Sequence, residues 1–205
     1  MSAPGLTSPI RKAAFDNLQL NAGIFVKNFD MTSITDAAAL KTAVAAAVTA
    51  GTNLLGVTRG GGTFNVTREM REPEVDGRRY SFVGGRFVDS TDAYLSTTLL
   101  ETNPDNFVIG LGSASKTTSG KVTTVTMHTA IEDNDYLSSL TWIGDLSDGR
   151  IVAITLYNAL NTSDFTFTFT DKGEGTYTVE FHAHQAEVDD YDQAPFDVKF
   201  FDKAA

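Results

Sequence analysis

The stretch DFTFTFTDKGEGTYTVEFHAH, residues 164 to 184, decides how this chain folds. Phe165, Phe167 and Phe169 alternate with Thr166, Thr168 and Thr170. After a turn the alternation resumes, with Tyr177, Val179, Phe181 and Ala183 opposite Thr176, Thr178, Glu180, His182 and His184. Residues two apart on a strand share a face, so the pattern predicts a β-hairpin with one aromatic and one polar side. Burying each phenylalanine favours folding by roughly 1.5–3 kcal/mol, which turns Phe165, Phe167 and Phe169 toward a core. The polar side is left with water, a neighbouring subunit or an internal channel, and periodicity alone does not choose among them.

Outward from this hairpin the chain reads mainly as strands. Upstream, LSSLTWIGDLSDGRIVAITLYNAL gives two strands across an Asp148-Gly149 turn. The second is apolar on both faces, with Val152, Ile154 and Leu156 on one and Ile151, Ala153 and Tyr157 on the other, the pattern of a strand covered on both sides. Downstream, APFDVKFF reads as a last strand. Nearer the start, AGIFVKNF (22–29) predicts a strand and DAAALKTAVAAAVTAG (36–51) a helix. Ser33 and Asp36 have capping-box spacing, Gly51 suits the C-terminal cap, and Leu40, Val44 and Val48 form the packing stripe. NPDNFVIGLG predicts a short helix, and KVTTVTMHTAIE a strand with Val125, Met127 and Ile131 on one face. The whole predicts a mainly β fold, a sandwich or barrel with one flanking helix.

The 205 residues suit one domain over 1–205, since no Pro/Gly/Ser linker divides them. Residues 1–20 form a polar N-terminal arm. With no cysteine, disulfides, thiolate zinc sites and cysteine nucleophiles are excluded. MSAPGLTSPIRKAAF lacks an apolar signal region, and AVAAAV is too short to span a bilayer, so a protein kept in solution is expected. The formal net charge of −10 opposes a surface that grips DNA, because phosphate binding depends on Lys and Arg releasing counterions.

Residues 63–80 read as a protruding hairpin turning at Asp76-Gly77, with charges of mixed sign at Arg68, Glu69, Arg71, Glu72, Glu74, Asp76, Arg78 and Arg79. Such a hairpin is either a solvated loop or an arm that docks on another subunit. No catalytic or cofactor set emerges. Gly60-Gly61-Gly62 lacks the Lys and Ser/Thr of a phosphate loop, and Ser113 and Lys116 have S-x-x-K spacing without a following K-T-G. His182, His184, His128 and Glu180 are weighed as a metal site and set aside in favour of a polar interface. EDNDY and VDDYDQ lack the glycine spacing of a calcium loop. The glycosylation patterns at Asn65 and Asn161 have no export signal to give them meaning.

GVTRGGGTFNVTREMREPEVDG, then TNPDNFVIGLG, then WIGDLSDGRIVAITLYNAL and TYTVEFHAH leading to PFDVKFF, taken in this order and spacing, resemble the major tail proteins (tail tube proteins) of long-tailed bacteriophages. The resemblance spans about residues 20 to 202. It implies a structural virion protein whose hexameric rings stack into a hollow tube, through which the double-stranded genome passes without specific binding. It implies a tape-measure protein in the lumen, tail terminator and distal tail proteins at the ends, and assembly in the host bacterial cytoplasm. It also lends the 63–80 hairpin contacts with neighbouring subunits and rings, and brings no catalytic residue, metal or cofactor. The C-terminal immunoglobulin-like domain of many relatives is not expected. The polar face carrying Thr166, Thr168, Thr170, Glu180 and His182 then points to the lumen or to a subunit interface. A monomeric ligand-binding sandwich, such as a carbohydrate-binding module, is the competing expectation. It would need an exposed aromatic platform, whereas the single tryptophan, Trp142, lies in an apolar strand.

Overall fold

The computed structural model describes residues 12–51, 53–186 and 193–203. Most of the N-terminal arm and of the VDDYDQ run therefore lies outside the described residues. In chain order the elements are α1 (Lys12–Phe15), β1 (Ile24–Lys27), α2 (Ala37–Ala50), β2 (Thr58–Arg71), β3 (Phe87–Leu99) and α3 (Pro104–Leu111). They continue with β4 (Ala114–Ser119), β5 (Val122–Met127), β6 (Leu137–Asp145), β7 (Ile151–Asn161), β8 (Phe167–Thr168), β9 (Thr176–His182) and β10 (Phe196–Phe201). The fold is mainly β. Eight strands join in one antiparallel sheet along the path β1-β6-β7-β9-β3-β2, with β10 added to β7 and β8 to β9, while β4 and β5 form a separate hairpin.

The sheet doubles back because β7 changes partner along its length. Ile151–Leu156 pair with β10, whereas Leu160 and Asn161 pair with His182 and Phe181 of β9. The pivot is Asn158, at φ 46°, a left-handed conformation that asparagine tolerates better than most residues. Its Nδ2 donates to the His184 carbonyl at 3.1 Å, which fixes the bend. Phe25, Leu140 and Leu156 from one half of the sheet thus meet Leu95, Leu99, Val179 and Phe181 from the other in one buried cluster.

The outer face of the β1-β6-β7-β10 half is closed by α2. Val26, Ile143, Ile151, Ala153 and Phe201 pack there on Ala37, Leu40 and Ala47. Between β6 and β7, the fully buried Thr141 and Thr155 satisfy each other at 3.1 Å. Asp36 caps the helix alone, its Oδ1 accepting from the Ala38 and Ala39 amides at 2.9 and 2.8 Å, and Gly51 closes it at φ 65°. Two expectations change here. Ser33 is not the cap, because Asp36 sits in extended backbone immediately before the first turn. Val48 is half exposed and Ala47 is buried instead, since a 3.6-residue period carries a stripe from 37 and 40 to 47 rather than 48.

The opening hairpin is shorter than its alternation suggests. Only Phe167↔Tyr177 and Thr168↔Thr176 pair before the strands part. Phe165 and Phe167 pack on Phe107 and Tyr177 at centroid distances of 5.1 to 6.1 Å, but Phe169 is 77% exposed. Contrary to the sequence reading, it is not a core residue, because the ladder has ended before it, and its ring meets that of Phe167 at 5.8 Å. KVTTVTMHTAIE is likewise not one strand with an inward face. β5 stops at Met127, and Met127 and Ile131 are exposed, since the β4–β5 hairpin has no sheet over that side.

Candidate assembly surfaces

The β2–β3 ribbon is about 45 Å long at 3.3 Å per residue, and it crosses a boundary near its middle. On β3, Ala93, Leu95, Thr97 and Leu99 are buried in alternation, whereas every residue from Phe87 to Asp92 is exposed. On β2, exposure is continuous from Thr67 to Arg71. The pairs from Thr67↔Asp92 to Arg71↔Phe87 therefore run on past the buried part of the ribbon, with Arg68, Val88, Ser90 and Thr91 bordering an open groove opposite His184, Pro195 and Phe196. The return strand begins at Phe87 and not directly after the Asp76-Gly77 turn expected from the sequence, so that 72–86 form a tip loop. Gly60 and Gly61, both at positive φ, supply the bulge at the base of β2, where the register shifts between Arg59 and Gly62.

A two-stranded ribbon whose residues are all exposed is marginal in water by itself, and local contacts support it. Arg71 Nε donates to Asp89 Oδ1 at 2.7 Å and its guanidinium lies 5.6 Å over the Phe87 ring. Ser90 Oγ donates to Glu69 at 3.2 Å. Glu72 organises the tip: Arg78 pairs with it at 2.6 Å, Arg86 approaches to 3.7 Å and Ser81 Oγ donates to it at 3.0 Å. Arg78 also lies 5.6 Å over the Phe82 ring. Of the eight charged residues singled out in the sequence, Glu69, Arg71, Glu72 and Arg78 are thus engaged within the arm. Arg68, Glu74, Asp76 and Arg79 are exposed with no side-chain partner among the described residues.

What the charge pattern conceals is apolar surface. Tyr80 is 85% exposed and Val83 fully so, and Phe82, Val75, Met70, Phe87 and Val88 are each more than half exposed. The available signal was YSFVGGRF, a segment with large apolar residues in no helical or strand period, beside two glycines. Contiguous exposed apolar surface of this kind marks interaction sites.

The second surface answers what the threonine side faces. Register aligns Thr178, Glu180 and His182 of β9 with Thr98, Ser96 and Tyr94 of β3. These in turn lie beside Arg59, Thr63 and Asn65 of β2. Thr168 joins through Thr176. The outer face of the β8-β9-β3-β2 half is one polar wall, and among the described residues no helix covers it. Thr166, Thr168 and Thr170 are exposed, and Glu180 and His182 are half exposed. Side chains bond across the strands: Thr98 with Thr178 at 3.2 Å, and Asn65 Nδ2 to the Tyr94 hydroxyl at 3.0 Å.

His182 is the wall's most constrained group. Its Nδ1 lies 2.8 Å from Asp92 and its Nε2 3.1 Å from Glu180, with the ring stacked on Tyr94 at 5.0 Å. Burial would lower its pKa, but the hydrogen bonds to Asp92 and Glu180 outweigh this and hold it above the ordinary 6.5. The other histidines have separate partners. His184 bonds to the Asn158 carbonyl at 3.1 Å, and His128 lies 3.3 Å from Asp135. Ser113 and Lys116 also look elsewhere, to the His128 carbonyl and to Asp105. Trp142 packs on the main core and donates to the Ala22 carbonyl at 2.9 Å.

No protein-family model matches the chain, and no curated protein matches it. Among solved structures, a chain from the virion of a native gene transfer agent (GTA) particle is similar at 12% identity and a TM-score of 0.36, over 65% of this chain and 85% of that one. A likeness of that size carries no argument about function, which has to come from the surfaces of the chain itself. Among the described residues, no helix is long and apolar enough to cross a membrane.

Proposed function

We propose that this chain is the subunit of a phage-type tail tube, a non-enzymatic virion protein whose six-membered rings stack head to tail. The observation that carries the reading is the arm. It holds Tyr80, Phe82 and Val83 in water beyond a charged shaft, and burying these three on another copy would favour association by on the order of 5 kcal/mol. A projecting arm that meets a different patch on its neighbour makes a heterologous contact, which repeats into rings and filaments. The tail-tube resemblance of the sequence supports the same reading.

In such a tube the polar wall of β8, β9, β3 and β2 lines the lumen. Its carboxylates at Asp92 and Glu180 repel the DNA phosphates, and its threonines and serines offer hydrogen bonds without fixed charge, so duplex passes without sticking. A tape-measure protein fills the channel before the genome does, tail terminator and distal tail proteins close its ends, and the tail is built in the host bacterial cytoplasm.

Sedimentation and negative-stain microscopy test the proposal. The wild-type chain is expected to form rings or tubes, and the Tyr80→Ser/Phe82→Ser/Val83→Ser variant to stay monomeric and folded. A wild type that remains monomeric at high concentration, and also when co-expressed with tape-measure and distal tail partners, defeats the proposal. In the assembled tube, Thr166, Thr168 and Glu180 on the outer wall, or a net-positive lumen, would overturn the channel assignment.

A further inference from the structure

The helix that closes one half of the sheet leaves a gap beside it. Between α2 and the β1–β6 pair lies an open groove of about 520 Å³, with Ile24, Leu40, Val44, Ile143 and Ile151 as its apolar walls. Its charged residues are Lys41 on α2 and Asp145 at the end of β6. Both are exposed, and neither side chain has a hydrogen bond or ion pair among the described residues. The groove thus joins an apolar floor to one unengaged charge of each sign.

The arm tip has the matching composition. It exposes Tyr80, Phe82 and Val83, and its unengaged charges are Glu74 and Asp76 on one side of the Asp76-Gly77 turn and Arg79, next to Tyr80, on the other. A chain's own tip does not reach its own groove. Ala22, on the groove wall, lies beside Gly61 at the base of the ribbon. From there the shaft leads away past Pro195 and Phe196, and the stretch from Gly61 to Arg71 sets the tip about 30 Å off at 3.3 Å per residue. Tip and groove therefore meet only between copies.

We propose that the groove between α2 and the β1–β6 pair receives the arm tip of a second copy, with Tyr80 and Phe82 on its apolar floor, Arg79 against Asp145, and Glu74 or Asp76 against Lys41. This rests on the reading of the arm as an assembly element and names the surface on which it docks. Donor and acceptor lie at opposite ends of the arm, so the contact joins different patches and repeats head to tail. Tyr80 and Phe82 offer about 150–250 Å² each, well short of the roughly 1,600 Å² of a stable pairwise interface. A single contact is weak, and an array holds it.

Thiol cross-linking captures such a contact, and the chain has no cysteine of its own. Full-length Val83→Cys chain is mixed with Ala45→Cys chain, whose substitution lies on the groove wall, and treated with a short thiol-to-thiol cross-linker. This pair is expected to link far more than Val83→Cys with Thr168→Cys on the polar wall. Asp145→Arg in the Ala45→Cys chain should lower the yield about fivefold, through loss of one exposed ion pair and the repulsion that replaces it, and Arg79→Asp in the Val83→Cys chain should restore it. A tip–groove yield no higher than the polar-wall control, or a charge reversal that does not restore it, overturns the proposal. If the yield is at control level while the wild type builds rings or tubes, the groove is wrong and the tube reading stands. If tip and groove link while the wild type builds neither, the contact stands and the tube reading falls.

Discussion

The two halves of the β2–β3 ribbon are made from the same two strands yet obey different rules. Toward the body, Leu95 and Leu99 point into the core, and the ladder is stabilised by burial against Phe181 and Val179 of β9. Beyond Ala93 every residue of β3 is exposed, and among the described residues the ladder is supported by Arg71–Asp89, Glu69–Ser90 and the contacts of Glu72. The first half fixes the fold of the monomer. The second contributes little to it while exposing apolar side chains, the combination expected of a segment whose partner is elsewhere.

Substitutions in the two halves should separate these roles. Phe181→Ala in the body removes a side chain 1% exposed and is expected to cost about 3–5 kcal/mol in chemical denaturation; a loss below 1 kcal/mol would show that the core is not shared between the sheet halves. Gly62→Ala, at the base of the ribbon, places a methyl 2.7 Å from the Phe25 ring and 2.8 Å from the Ser96 carbonyl. It should cost about 1–3 kcal/mol through overpacking, and a neutral result would mean that the bulge gives way.

His182, on the polar wall, should act through pH. Its folded pKa is raised above the unfolded 6.5, so its contribution is complete below that value and disappears as pH rises through the folded pKa. Because its partners Asp92 and Glu180 are 51% and 37% exposed, solvent screening limits the effect to under about 1 kcal/mol. Stability of the wild type against His182→Gln, measured from acid to mildly alkaline pH, should converge at the alkaline end; curves that stay parallel would contradict the pairing with Asp92 and Glu180. The smallest effect on the monomer belongs to the arm. The Tyr80→Ser/Phe82→Ser/Val83→Ser variant should change unfolding by no more than about 0.5 kcal/mol, and a loss of several kcal/mol would place these side chains in the body's core.

The sequence by itself determined which stretches form elements and which side chains need burial. The Asp148-Gly149 turn, the doubly apolar 151–161 strand, the helix between Asp36 and Gly51 and the short helix after Asn103 were all legible, because their signals are local: turn chemistry, caps and period. The eight charges of the arm and the polar side of the 164–184 hairpin were legible in the same way, as residues without a place in the core. What covers each face was decided only by tertiary structure. Phe169 keeps the alternation of Phe165 and Phe167 but lies past the last paired residue, so pattern alone misplaced it. The pivot at Asn158, the wall assembled from β8, β9, β3 and β2, and the exposure of Tyr80, Phe82 and Val83 all depend on non-local pairing. A strand's own residues specify that a face is apolar or polar; whether another sheet, a helix or nothing lies over that face is settled only when distant strands meet.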